Sequence, residues 1–232
     1  MPPQSLPDVF VGLLRVFCSP EERDIMENTV KQEKKIDVKR MVFTALLAAL
    51  SVVLAEFLKF KLPVMPGFIS FDFSDVPAML ASLTMGPISG VLVCLLKNVY
   101  GCFTSSTACV GELSNFILGV CLVLPAGLLT HKNTKLSRAV IGCLAGAVLM
   151  ALVSIASNYF LVFPAYSAAF HAPMDAIVGM YKAILPSADS LIKCLVIFNM
   201  PFTFVKGLCA AIVSVPLYKR LRPIFNTCRK QG

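Results

Sequence analysis

Four ionisable residues stand inside or at the edge of long apolar runs: Glu56, Lys97, Glu112 and Lys206. A charged side chain held at bilayer depth costs about 2.5–3.5 kcal/mol on insertion scales, so each needs a partner or a purpose. Lys97 and Glu112 flank the turn 101–108, which would bring them to similar depth on adjacent helices. They read either as an ion pair tying those helices together or as ligand contacts. Asn98 neighbours Lys97, and Asn115 lies three residues after Glu112 on what would be a shared helix face, a polar stripe directed inward. Glu56 sits near the end of its run, where it reaches water.

Lys206 is the most informative of the four. It lies in NMPFTFVKGLC with no acidic residue on its own helix, and Thr203, three residues earlier, shares its face. Asn158, in SNYF, closes the preceding run. Asn, Thr and Lys converging beneath two loops would tip an apolar pocket with polar groups, the usual construction of a small-molecule site. Asn and Thr alone would instead read as hydrogen bonds between helices. On the first apolar run Ala45 and Ala49 stand at i and i+4, with Ala48 and Ala55 nearby. Small residues at that spacing let a second helix come close, either a partner's or one of the chain's own.

Other chemistry lacks its residues. GxxxxGK[ST] and HExxH do not occur. His131 and His171 both fall outside the apolar runs, which argues against an intramembrane Ser–His dyad. The nine cysteines have no CxxC spacing. Cys94, Cys121, Cys143 and Cys209 sit in apolar runs as small packing residues, so no metal site is expected. The chain reads as a non-enzyme that takes any energy for transport from a partner or an ion gradient.

The elements that position these residues follow from composition. The 232 residues are 57% hydrophobic and only 15% charged, against roughly a quarter charged in soluble domains. Mean hydropathy is +0.78. In a bilayer every backbone polar group must pair internally, and continuous rather than alternating apolar runs select helices over a barrel. The expected fold is an all-α integral membrane protein, a six-transmembrane-helix bundle over 41–58, 77–95, 87–102, 109–130, 138–162 and 191–217. The second and third ranges overlap around Gly86-Pro87 and Gly90, which mark a tight turn.

The net charge of +8 first suggests nucleic acid, but the basic residues sit at the ends of apolar runs. Lys31, Lys34, Lys35, Lys39 and Arg40, then Lys132, Lys135 and Arg138, then Lys219, Arg220, Arg222, Arg229 and Lys230 make 13 of the 21. With six spans all of them fall on one side. By the positive-inside rule that side is cytoplasmic and holds both termini. Opposite lie Lys59, Lys61, Lys182 and Lys193, mixed with Asp72, Asp75, Asp175 and Asp189. The long outer connections 59–76 and 163–190 carry aromatic and apolar residues that a solvated linker would not need, so they read as lids. Residues 1–30 form an N-terminal extension whose apolar run, 9–17, is too short to span. Residues 1–25 read as an over-long gene start or a loose tail before Met26. A membrane domain follows over 31–222, then a basic cytoplasmic tail, 223–232.

The segments FDFSDVPAMLASLTMGPISGVLVCLLKNVYG (71–101), GELSNF (111–116), SNYFLVFPAY (157–166) and PFTFVKG (201–207) resemble the substrate-binding S component of energy-coupling factor (ECF) transporters, and within it the riboflavin-specific branch. The resemblance covers about 31–222. It implies a bacterial cell-membrane subunit that takes riboflavin from outside as a transported substrate, without a cofactor. It also implies a transmembrane coupling protein and two ATPase subunits as partners. Family positions carry over to Ser70, Asn158, Thr203 and Lys206 for the vitamin, with Asp72 beside Ser70 in the first outer loop. Lys206 is then expected to donate to a carbonyl of the flavin ring, the competing expectation being an ion pair with a carboxylate such as Glu112. Lys97, Asn98, Glu112 and Asn115 are expected in supporting roles, and Ala45 and Ala49 on the docking surface. Thr203 stands where the family often has asparagine, which exchanges a paired donor and acceptor for a single hydroxyl.

Overall fold

The computed structural model describes residues 38–60, 70–105, 109–131, 135–165, 179, 181 and 190–230. The N-terminal extension and most of both proposed lids, 61–69 and 166–189 apart from 179 and 181, lie outside the described residues. The chain divides into two units, Met1–Met41 and Val42–Gly232. Of the first only 38–41 are described, the opening turn of a helix, and the rest of the description concerns the second.

Among the described residues six helices longer than one or two turns make up the architecture: α1 (Val38–Phe57), α2 (Asp75–Met85), α3 (Pro87–Thr104), α4 (Val110–His131), α5 (Leu136–Ser157) and α6 (Met200–Lys230). Two of them carry π-helical turns, Asn158–Val162 after α5 and Leu195–Asn199 before α6, the latter preceded by the helical turn Leu191–Cys194. Among the described residues five segments are long and apolar enough to cross a membrane: Arg40–Phe57, Pro87–Thr104, Val110–Thr130, Leu136–Ala165 and Leu191–Arg222. Their outward faces are apolar, with Leu46, Ile88, Phe160 and Ile212 all more than half exposed. Water would oppose such surfaces, and lipid does not.

α2 departs from expectation. The range 77–95 is broken at Gly86, whose φ of 109° no residue with a Cβ adopts without strain and whose N–H returns to Ser82 O. Pro87 then opens α3 at a position where its missing N–H is harmless. At 11 residues α2 is about 16 Å long, roughly half the hydrocarbon thickness. All its residues except Thr84 are buried, against α3, α4 and α6. It is the centre of the bundle, not a lipid-facing rod.

The neighbours meet α2 through stripes of small side chains. α3 buries Gly90, Val93, Cys94, Lys97 and Asn98, one helical face ending in two polar residues. α1 buries Thr44, Ala48 and Ser51. Thr44 Oγ1 donates to Met85 Sδ and Ser51 Oγ to Ser74 O at 2.6 Å. α4 and α5 come close enough that a Cβ on Gly146 would fall 2.2 Å from Leu122 O. Two further expectations on helix ends are corrected. α6 runs to Lys230, because the basic residues after 217 end a span without ending a helix. Asn158 follows α5 directly but does not end the helical run, because helical backbone continues to Ala165 through the π turn.

Candidate binding site

Both lysines inside the bundle find their counter-charges in the DFSD segment that leads into α2. Lys97 Nζ lies 2.5 Å from Asp75 Oδ1 and donates to Ser74 Oγ at 2.8 Å. Lys206 Nζ donates to Asp72 Oδ2 at 3.0 Å and lies 3.3 Å from Asp75 Oδ2, which takes no aligned hydrogen bond. Ser74 donates from its N–H, at 2.9 Å, and its hydroxyl to Asp72 Oδ1. The result is a buried, neutral group of two acids and two bases with side chains no more than 12% exposed. Burial alone would raise the Asp72 carboxyl. The Lys206 and Lys97 ammonium groups and the Ser74 hydrogen bond outweigh it and hold the group below its ordinary value.

This arrangement corrects two expectations. Lys97 pairs with Asp75, not Glu112, and Lys206 is paired with Asp72 and Asp75. Its partners lie 134 and 131 residues away in sequence, so no helical spacing pointed to them. Asp72 takes the Lys206 ammonium and is not among the residues that line the cavity described next.

Lys206 forms one wall of a cavity of about 130 Å³. Ser70, Asn115, Asn158 and Thr203 line it too, so five residues from four separate stretches of sequence meet there. Leu118, Met150, Val162 and Phe202 supply apolar wall, and Ser114, Asn199 and Gly111 complete it. Ser70 is held by its neighbour. Phe71 exchanges two backbone hydrogen bonds with Phe60, at 3.0 and 2.9 Å, and sets its ring edge-on to Phe202 on α6 at 6.0 Å. Asn158 donates one N–H of its Nδ2 to Ser154 O at 2.7 Å, which leaves its carbonyl oxygen unengaged among the described residues.

Glu112 does not join this cavity. Three residues on a helix are about 60° short of a full turn, enough to send Asn115 to the cavity and Glu112 toward α3. There Glu112 lies against Gly101 and borders an apolar groove with Leu95, Val99, Cys102 and Phe116. Asn98 lines the same groove and spends its Nδ2 on Cys94 O. Glu56 accepts from Thr104 Oγ1 at 3.1 Å at an exposed position, as an interfacial residue would. Ala45 and Ala49 are exposed on α1, opposite its buried stripe.

Four residues at or near the cavity escaped the sequence reading: Asp75, Ser114, Asn199 and Tyr181. Ser114 and Ser157 share a hydrogen bond at 2.9 Å between α4 and α5. Tyr181, fully buried, donates its hydroxyl to Asn199 Oδ1 at 2.9 Å. Burial raises the pKa of that hydroxyl more than the Asn199 contact lowers it, so the proton stays on the phenol. The spacing 199, 203, 206 does mark one helix face, and that signal alone could have added Asn199.

Residues 39–218 match the family described as the ECF transporter, substrate-specific component. The chain belongs to this family: it is a multi-pass membrane subunit of a transporter, and not an enzyme. It is 33% identical over 184 residues to the riboflavin transporter RibU of Staphylococcus aureus (strain TCH60), covering 79% of this chain and 90% of that protein. It is 30% identical over 190 residues to the riboflavin transporter FmnP of Bacillus subtilis (strain 168), covering 80% and 93%. A solved S component of a bacterial ECF transporter superposes with a TM-score of 0.62 at 30% identity, covering 80% of this chain and 96% of that one.

Proposed function

We propose that this chain is the riboflavin-binding subunit of an ECF-type importer, which captures the vitamin outside the cell and releases it inward with an ATP-driven coupling module. The observation that carries the reading is the convergence of Ser70, Asn115, Asn158, Thr203 and Lys206 on one apolar-walled cavity, in a chain a third identical to a riboflavin transporter. A flavin ring is flat and apolar along its dimethyl edge. Its pyrimidine edge presents two carbonyl acceptors around one N–H donor. Lys206 and Thr203 supply donors, the Asn158 oxygen supplies an acceptor, and Phe202, Leu118 and Met150 supply the apolar slot. Asp72 and Asp75 act through Lys206 by fixing its ammonium in place.

The same reading gives the chain six membrane passages, with α2 as a short passage broken from α3 at Gly86. Both termini are cytoplasmic, because the basic clusters gather there. The partners are a transmembrane coupling protein and two ATPase subunits, and Ala45 and Ala49 on the exposed face of α1 are the docking stripe. The test is uptake in a riboflavin-auxotrophic host. Growth on scarce riboflavin should require this chain and a coupling module together. Growth that depends on neither, or rescue by another vitamin in its place, overturns the assignment.

A further inference from the structure

Asn199 ends the π turn before α6 and is only 4% exposed. It lines the cavity one turn before Thr203 and two before Lys206. An amide offers an oxygen that accepts and a nitrogen that donates twice. The oxygen of Asn199 is already engaged by the Tyr181 hydroxyl. Tyr181 is anchored in turn, its ring 5.5 Å from that of Phe198 in an apolar cluster with Phe163, Cys194 and Leu195. The Asn199 nitrogen has no partner among the described residues, although the side chain is buried.

From this geometry we infer that Tyr181 is a positioning residue that turns the Asn199 amide so that its NH2 faces the cavity, making Asn199 a donor to a ring acceptor of the ligand and a determinant of specificity. The inference rests on the reading of this cavity as the vitamin site. It also has a consequence for ligand class. Asn158 holds one of its two N–H groups on Ser154 O and keeps its oxygen free to accept at the cavity, while Asn199 and Lys206 face it as donors. Two donors and one acceptor complement a cyclic imide edge, C=O, N–H, C=O. A ring carrying an amino group in place of one carbonyl would set donor against donor, the mismatch that buried polar sites reject most strongly.

The test titrates riboflavin into the purified full-length chain and follows quenching of flavin fluorescence. Asn199→Asp keeps an oxygen for Tyr181 but replaces the donor with an anionic acceptor, and should raise Kd by about tenfold or more. Tyr181→Phe removes only the hydroxyl and should weaken binding less. In an Asn199→Ala background the Tyr181→Phe effect should vanish, because the positioned group is gone. Wild-type affinity in Asn199→Asp overturns the donor assignment. A Tyr181→Phe loss that persists undiminished in the Asn199→Ala background overturns the positioning role. Failure of the unaltered chain to bind riboflavin overturns the vitamin reading itself, and this inference with it.

Discussion

Replacing Lys206 by Met keeps the length and apolar bulk of the side chain and removes its charge and donors. The structure assigns that change two separable effects. Lys206 holds Asp72 at 3.0 Å and Asp75 at 3.3 Å, with its side chain 9% exposed, so its loss leaves the network one negative charge in excess. Stranding a buried charge costs about 3–5 kcal/mol. The low end applies here, because Asp75 keeps Lys97 and Asp72 keeps the Ser74 hydrogen bonds. The second effect is on the ligand. A hydrogen bond involving a charged group is worth about 1.5–3 kcal/mol, which corresponds to a ten- to hundredfold rise in riboflavin Kd. Lys206→Met combined with Asp72→Asn removes one charge of each sign and leaves the Lys97–Asp75 pair neutral. The double variant should regain most of the ligand-free melting temperature while affinity stays low. Melting in detergent and fluorescence titration on the same preparations read the two effects. Restoration of both stability and affinity in the double variant would refute the reasoning and leave Lys206 a purely structural ion.

Ala45→Trp or Ala49→Trp should abolish riboflavin uptake and leave riboflavin affinity unchanged, because both alanines face outward on α1, away from the cavity. Uptake at the wild-type rate would move the docking surface elsewhere. Glu112→Gln should leave Kd unchanged, since the side chain borders the α3–α4 groove and not the cavity; a loss comparable to that of Lys206→Met would contradict the geometry. Ligand-free stability should hold under mild acid. The Asp72 carboxyl lies below its ordinary value of 3.8, so its stabilising charge is fully present above that value and is lost only as pH falls through the lowered one. A melting temperature that falls from roughly pH 6 downward would show that a different group controls the fold.

The membrane class, the broad helix positions and residues that converge on the cavity were named from the sequence, the first two because each rests on a local signal. Apolar run length marks the helices, short motifs mark Asn158, Thr203 and Lys206, and Ser70 came only from the family resemblance. Asn115 and Glu112 were grouped by spacing but border different pockets, since spacing of i and i+3 fixes neighbours on a helix surface without saying which flank faces which partner. The demand of Lys97 and Lys206 for counter-charge was equally legible. The identity of their partners was not, because Asp72 precedes and Asp75 opens a helix too short for a normal span. Orientation by charge placed them with the outer loop, whereas the start of α2 and the segment before it set both carboxylates against the bundle's lysines. The π turns had no sequence signature. One extra residue per turn at Asn158–Val162 and at Leu195–Asn199 resets which side chains face inward, and such turns often occur at functional sites. Asn158 therefore looked like a helix end, and Asn199 went unnoticed.

Riboflavin binding by the purified chain, without any coupling partner, tests the central claim most directly. The protein is expressed in membranes, extracted in detergent and titrated with riboflavin against a panel of other vitamins and nucleobases. The expected result is a flavin absorbance that co-purifies with the protein, saturable quenching at one site per chain, and no competition from vitamins that lack a flavin ring. A folded, monodisperse preparation that carries no flavin and quenches none, or one that binds another vitamin in preference, would contradict the account.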